Sequence, residues 1–249
     1  MSYIVCTVPV SPMRFEPFHV SEMVSQVLFG EQCIQLEPST GGFIKVRTLH
    51  DGYEGYCAEN QFMVSNKEDG ESMLTADWIN ELSFKGAPMK VPFGSYIPSI
   101  GEVVYTGHTW DRKAYGKIEQ ALLTSAFMFI NTPYLWGGRS VFGADCSGFV
   151  QIVFRYMDIK LPRDAAHQAQ KGELVSLLQE ARCGDLAFFD DPEGDIIHVG
   201  ILLNDSSIIH AYGKVRVDNI DNEGMLDKDS TSYNHIFYAG SKRQLKLNK

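Results

Sequence analysis

Turn residues break the first hundred positions into short apolar runs, and no helical period begins until Lys117. This segregation of strand-like from helical pattern limits the fold more than any other feature of the chain. Strand-like runs fall at 26–33 around Gly30, at 42–48 and at 55–64, a spacing that reads as a small β-barrel. Further apolar pieces at 78–84 and 89–93 complete that barrel or lead out of it. Residues 117–130 then carry Ile118, Ala121, Leu122, Ser125 and Phe129 close to a helix period. Asn131-Thr132-Pro133 stops the helix, because the residue before a proline is pushed out of helical geometry. The expected class is α+β, with one domain over 1–110 and a second over 111–249. At 249 residues and 44% hydrophobic, the chain has enough apolar material for two cores.

A formal net charge of -9 would repel phosphate backbones, and no Lys/Arg cluster offsets it, so nucleic acid is excluded as a partner. The N-terminal stretch is interrupted by Pro9, Pro12 and Pro17 and lacks the basic start and apolar run of a secretory signal. No later run is apolar for long enough to cross a bilayer. A cytoplasmic monomer with no membrane partner is the expectation. Cys6, Cys33, Cys57, Cys146 and Cys183 are odd in number and lack CxxC spacing, which argues against a disulfide framework and against a zinc ribbon. At least one free thiol is expected.

Cys146 has the most informative setting. After Asp145-Cys146-Ser147-Gly148, the apolar residues Phe149, Val150, Val153, Phe154 and Met157 share one helical face, and Asp145 is placed to cap the start. A cysteine at a helix N-terminus has the dipole and unpaired N–H groups that favour a thiolate. Downstream, 184–189 reads as a turn into a strand, 196–203 as a strand holding His198, and 207–211 as a strand holding His210. If an odd number of residues connects the last two, both histidines face one side of the sheet. One can then take the thiol proton while the other fixes its tautomer and orientation. His19, His50, His108, His167 and His235 have no such company and read as core or surface residues.

The second half resembles the NlpC-type branch of papain-like cell-wall peptidases. The motifs are P-Y-x-W-G-G at 133–138, D-C-S-G-F at 145–149, P-R-D-A-x-x-Q at 162–168, G-D-L-x-F-F at 184–189, H-V-G-I at 198–201 and H-A at 210–211. The resemblance implies a papain-like domain in which Cys146, His198 and His210 are catalytic and Tyr134 assists the oxyanion. In the first half, Gly41-Gly42-Phe43-Ile44-Lys45-Val46-Arg47 followed by Asp51-Gly52-Tyr53-Glu54-Gly55-Tyr56 resembles the bacterial SH3-like domain, with Phe43 and Tyr56 where Trp is usual. Together the two halves look like γ-D-glutamyl-L-diamino acid endopeptidases, which act on peptidoglycan stem peptides carrying a free L-Ala amine. That resemblance implies a role in recycling wall peptides and no cofactor. It also implies that Asp145, Ser147 and Asp164 line the end of the cleft that receives the amine, with Tyr53 and Glu54 closing it. An ammonium taken out of water needs a carboxylate partner, which gives Asp164 and Glu54 a physical reason to be there. Three other readings compete: a papain-like amidase or acyltransferase, a non-catalytic wall-peptide-binding module, and a metal site made of the same Cys and two His, for which no fourth ligand is evident.

Overall fold

The computed structural model describes residues 2–65, 73–98, 102–222, 224–226, 233–235 and 237–243. The chain forms two compact units, one of residues 1–111 with 136–143 and the other of 112–135 with 144–249. This differs from a 1–110/111–249 division chiefly at 136–143, which lies within the first unit although it follows residues 112–135 of the second in sequence.

The first unit is built from β1 (Ser2–Cys6), β2 (Val10–Arg14), β3 (Met23–Leu28), β4 (Gln32–Gln35), β5 (Phe43–Thr48), β6 (Glu54–Ala58) and β7 (Phe62–Ser65), in the sheet order β3-β2-β6-β5-β4-β1-β7. The run expected around Gly30 is two strands with a turn between them, and Gly30 holds a φ of 78° there. Along β5, Ile44, Val46 and Thr48 are buried while Lys45 and Arg47 point outward, the two-residue period of a half-buried strand. The barrel core is Ile4, Cys6, Met13, Val27, Cys33, Ile44, Val46 and Cys57. Three of the five free thiols are therefore core residues. Gly55 is required where β6 crosses β2, since a Cβ on it would lie 2.5 Å from Met13 Cγ. The inserted segment is tied down by Arg139, which is fully buried and donates from Nη1 to the Gln26 carbonyl at 2.6 Å and to Glu31 Oε2 at 3.2 Å. A separate three-stranded sheet of Ile79–Phe84, Ala87–Pro92 and Val103–Tyr105 packs Leu82 and Val91 on Phe29.

The second unit starts with α1 (Ile118–Phe127), followed by α2 (Cys146–Arg155) and the short α3 (Ala165–Gln168). Its antiparallel sheet runs in the order Glu173–Val175, Phe237–Arg243, Leu186–Asp190, Ile196–Leu202, Ser207–Tyr212, Lys214–Ile220, Met225–Leu226, Tyr233–His235. Helix α2 is buried along its whole length, not on one face as its apolar pattern suggested. The reason is its place: it packs on the strands Ile196–Leu202 and Ser207–Tyr212 and also against α1, where the Phe129 and Phe149 rings meet edge to face at 5.5 Å. Among the described residues, no helix is long and apolar enough to cross a membrane.

Candidate active site

The site forms where the N-terminus of α2 meets the sheet. Asp145 caps the helix from extended backbone, its Oδ1 accepting from the Gly148 N–H at 2.7 Å. This places Cys146 in the first turn, 7% exposed, with its sulfur accepting hydrogen bonds from the backbone N–H groups of Val199 and Ser147. Burial pushes the Cys146 thiol up to about 12 and the Asp145 charge adds to that; the two N–H groups and the Arg163 guanidinium pull it down without prevailing. The helix terminus expected to favour a thiolate is thus present, but desolvation outweighs it. At neutral pH the sulfur needs a base.

The imidazoles stand on adjacent strands. An odd number of residues, 203–207, lies between the paired Leu202 and Ile208, and Gly200 pairs directly with His210. His198, two residues from Gly200, therefore shares the face of His210. His198 Nε2 lies 2.9 Å from His210 Nδ1 with the rings near perpendicular, and both residues are buried. Gly200 makes this approach possible: a Cβ there would sit 2.8 Å from His210 Cβ and 2.6 Å from Ile208 Cδ1. Beyond His210 lies a residue that the motifs did not flag, Asp218, whose Oδ2 is 3.0 Å from His210 Nε2. Its one sequence signal is an acid inside the strand Lys214–Ile220, at a position that turns out to be fully buried. Among the described residues, no three His, Cys, Asp or Glu side chains are grouped to hold a metal ion.

Tyr134 is held by its backbone, donating to the Gly213 carbonyl at 2.9 Å and bridging to Ala144. Burial, then the neighbouring Cys146 and Asp145, push its hydroxyl up to about 12, so it keeps its proton at neutral pH. Asp145 and Ser147 are both buried and both engaged by Arg163, another residue without an assigned role in the sequence reading. Arg163 Nη1 donates to Asp145 Oδ1 at 3.1 Å and Ser147 Oγ at 3.0 Å, and Nη2 to Asp145 Oδ2 at 2.5 Å. The Asp145 charge is compensated inside the protein. Removing one partner of a buried pair strands the other, so Arg163→Ala is expected to destabilise the second unit by about 3–5 kcal/mol. The denaturation midpoint of the full chain measures this, and an unchanged midpoint contradicts it.

Asp164 differs from Asp145. Its side chain is 43% exposed and sits 3.5 Å from His167 Nδ1, one turn along α3. In the first unit, Glu54 lies on the outward face of β6, where Oε1 accepts from Arg47 Nε at 2.8 Å and Nη2 at 2.6 Å, with Lys45 3.9 Å away. Tyr53 packs against the barrel core.

With this geometry in place, the likeness to known proteins can be stated. Residues 131–232 match the NlpC/P60 family, and residues 13–62 match the bacterial dipeptidyl-peptidase Sh3 domain. A γ-D-glutamyl-L-lysine dipeptidyl-peptidase of Bacillus cereus is 25% identical over 91% of this chain and 77% of its own. A Bacillus subtilis protein of the same name is 42% identical over 39% of this chain and 32% of its own. A crystal structure of an NlpC/P60 family protein from Bacillus cereus shares the fold, with a TM-score of 0.79 at 21% identity, over 98% of this chain and 100% of that one. Residues 131–232 accordingly carry an NlpC/P60 domain, and a bacterial SH3-type domain over residues 13–62 precedes it in sequence.

Proposed function

We propose that this peptidase hydrolyses the amide between the γ-carboxyl of D-Glu and an L-diamino acid, Lys or meso-diaminopimelate, in peptidoglycan stem peptides whose L-Ala amine is free. The observation that carries the reading is the buried chain His198–His210–Asp218 on the sheet, with the buried Cys146 at a helix terminus hydrogen-bonded to the Val199 N–H next to His198. The printed names of the Bacillus relatives supply the bond class.

In this mechanism His198 takes the thiol proton as Sγ of Cys146 bonds to the γ-carbonyl carbon. The oxyanion is met by the Tyr134 hydroxyl, which stays protonated, and by the backbone N–H of Cys146. Collapse breaks the C–N bond, and His198 returns the proton to the leaving amine. Water, deprotonated by His198, then attacks the thioester; the C–S bond breaks, His198 returns the proton to Sγ of Cys146, and the D-glutamyl carboxyl group leaves. His210 holds His198 in register throughout.

A role in recycling released wall peptides inside the cell fits five free cysteines, which suit a reducing compartment. Asp164 is the accessible carboxylate proposed to meet the L-Ala ammonium, with Asp145 and Ser147 shaping the wall behind it. Exposed ion pairs contribute roughly 0.2–1 kcal/mol, so Asp164→Asn is expected to lower kcat/KM by less than about fivefold. A loss of a hundredfold would mean that the carboxylate is dehydrated when substrate binds. The reading itself is tested by mass spectrometry of L-Ala-γ-D-Glu-L-Lys incubated with the protein, beside an N-acetylated copy. Release of Lys from the free tripeptide, and slower release from the acetylated one, is the expected result. No cleavage of either would refute the bond assignment, and equal cleavage would refute the free-amine requirement.

A further inference from the structure

A neutral imidazole has one N–H and one bare nitrogen, and only the bare nitrogen can take a proton. Which nitrogen of His198 is bare is decided two groups away. Asp218 is fully buried, with Oδ2 3.0 Å from His210 Nε2. Its Oδ1 accepts from Arg216 Nε at 3.1 Å and Nη2 at 2.9 Å. Burial works against the Asp218 charge, yet the hydrogen bonds from His210 and Arg216 outweigh it and hold the carboxyl below the usual range. An ionised carboxylate only accepts, so His210 donates to it from Nε2. When the His210 ring carries that single proton, its other nitrogen, Nδ1, is an acceptor for the Nε2–H of His198, 2.9 Å away. That leaves Nδ1 of His198 bare. The reverse order would put a hydrogen on His198 Nδ1 and remove the base.

We infer that Asp218, oriented by Arg216, is a positioning residue of this peptidase: by accepting from His210 it fixes one proton order through both histidines and makes Nδ1 of His198 the base for Cys146. The inference rests on the peptidase reading and adds a fourth member to its machinery. Arg216 is more than a clamp, because its guanidinium compensates the carboxylate charge and leaves the hydrogen-bond direction as the main effect. Among the described residues, the ionisable groups found against His210 are His198 from the strand on one side, Asp218 and Arg216 from the strand on the other, and Tyr212 on its own strand, with ring centroids at 6.4 Å. Within that set, Asp218 is the carboxylate hydrogen-bonded to the ring.

The test uses the full chain with ¹⁵N-labelled histidine. Long-range ¹H–¹⁵N spectra at neutral pH report the tautomer of each ring, and Nε2–H is expected for both His198 and His210. An Nδ1–H or doubly protonated His210 overturns the inference whether or not any substrate is cleaved, which separates its failure from failure of the function. Asp218→Asn, near in shape, is expected to lower kcat at least about tenfold with KM changed less than about twofold, because an amide can present either end to His210. It should also move the acid-side midpoint of the kcat/KM profile down by about half a pH unit, since a negative charge that supports imidazolium is gone. A role in stability alone would lower the melting temperature and leave that midpoint in place, and this result would overturn the inference. If the variant does not fold, the wild-type tautomers still decide the matter.

Discussion

Cys146→Ala is expected to reduce cleavage of L-Ala-γ-D-Glu-L-Lys by at least about 10⁴-fold, the scale of loss when a nucleophile is removed and only binding and oxyanion effects remain. The substitution deletes one sulfur from a site where Cys146 is 7% exposed and the helix cap is made by its neighbour Asp145, so the local fold has no reason to change. Binding should survive. Calorimetric titration of the variant with the intact tripeptide is expected to give a Kd within a few-fold of the wild-type KM, subject to the rule that KM equals Kd only when chemistry is slow. Near wild-type turnover by the variant would rule out a thioester route altogether and direct attention to a water-based mechanism.

How much of this arrangement could be read in the chain depended on whether the partners were local. The Cys146 helix and its Asp145 cap lie within a few residues, and the pairing of His198 with His210 needed only strand alternation and an odd loop. Asp218 was not legible in that way. It faces His210 because the next hairpin turns at Gly213 and pairs His210 with Arg216 and Ile208 with Asp218. A hairpin loop one residue longer or shorter would have sent Asp218 to the opposite face. The Arg163–Asp145 ion pair spans eighteen residues and two elements, so sequence spacing carried no sign of it. The first unit shows the same limit. Phe43–Thr48 reads plainly as a strand, but nothing local says that Arg139, directly after the P-Y-x-W-G-G motif, is buried beside Glu31 in the first unit. The helix α2 was misjudged for a related reason: its apolar face was recognised, yet burial on every side follows from where α1 and the sheet lie.

His198→Ala is expected to leave Cys146 almost inert to iodoacetamide at neutral pH, a loss of at least about a hundredfold relative to wild type. With His198 in place, burial already pushes the Cys146 thiol up to about 12, so at pH 7 very little of it is free thiolate and its reactivity rests on proton transfer to a neighbouring base, which the substitution removes. The sign follows directly: a raised pKa means the unreactive protonated form holds at every pH below it, and reactivity returns only as the pH climbs toward it. On the proposed mechanism His198 accepts that proton in wild type and keeps the charge pair inside the site, so alkylation should already be fast near neutrality. In the variant the rate should instead rise about tenfold per pH unit on the alkaline side, with no plateau at neutral pH. The measurement must resolve sites, because Cys183 is only half-buried and is itself pushed up to about 11, whereas Cys6, Cys33 and Cys57 lie in the barrel core. Peptide mass spectrometry after timed alkylation separates them, and Cys183 serves as the internal reference that the substitution leaves unchanged. Equal alkylation of Cys146 in wild type and variant at neutral pH would show that the helix terminus and the Val199 and Ser147 amides suffice to form the thiolate. The part assigned to His198 would then shrink to proton donation to the leaving amine.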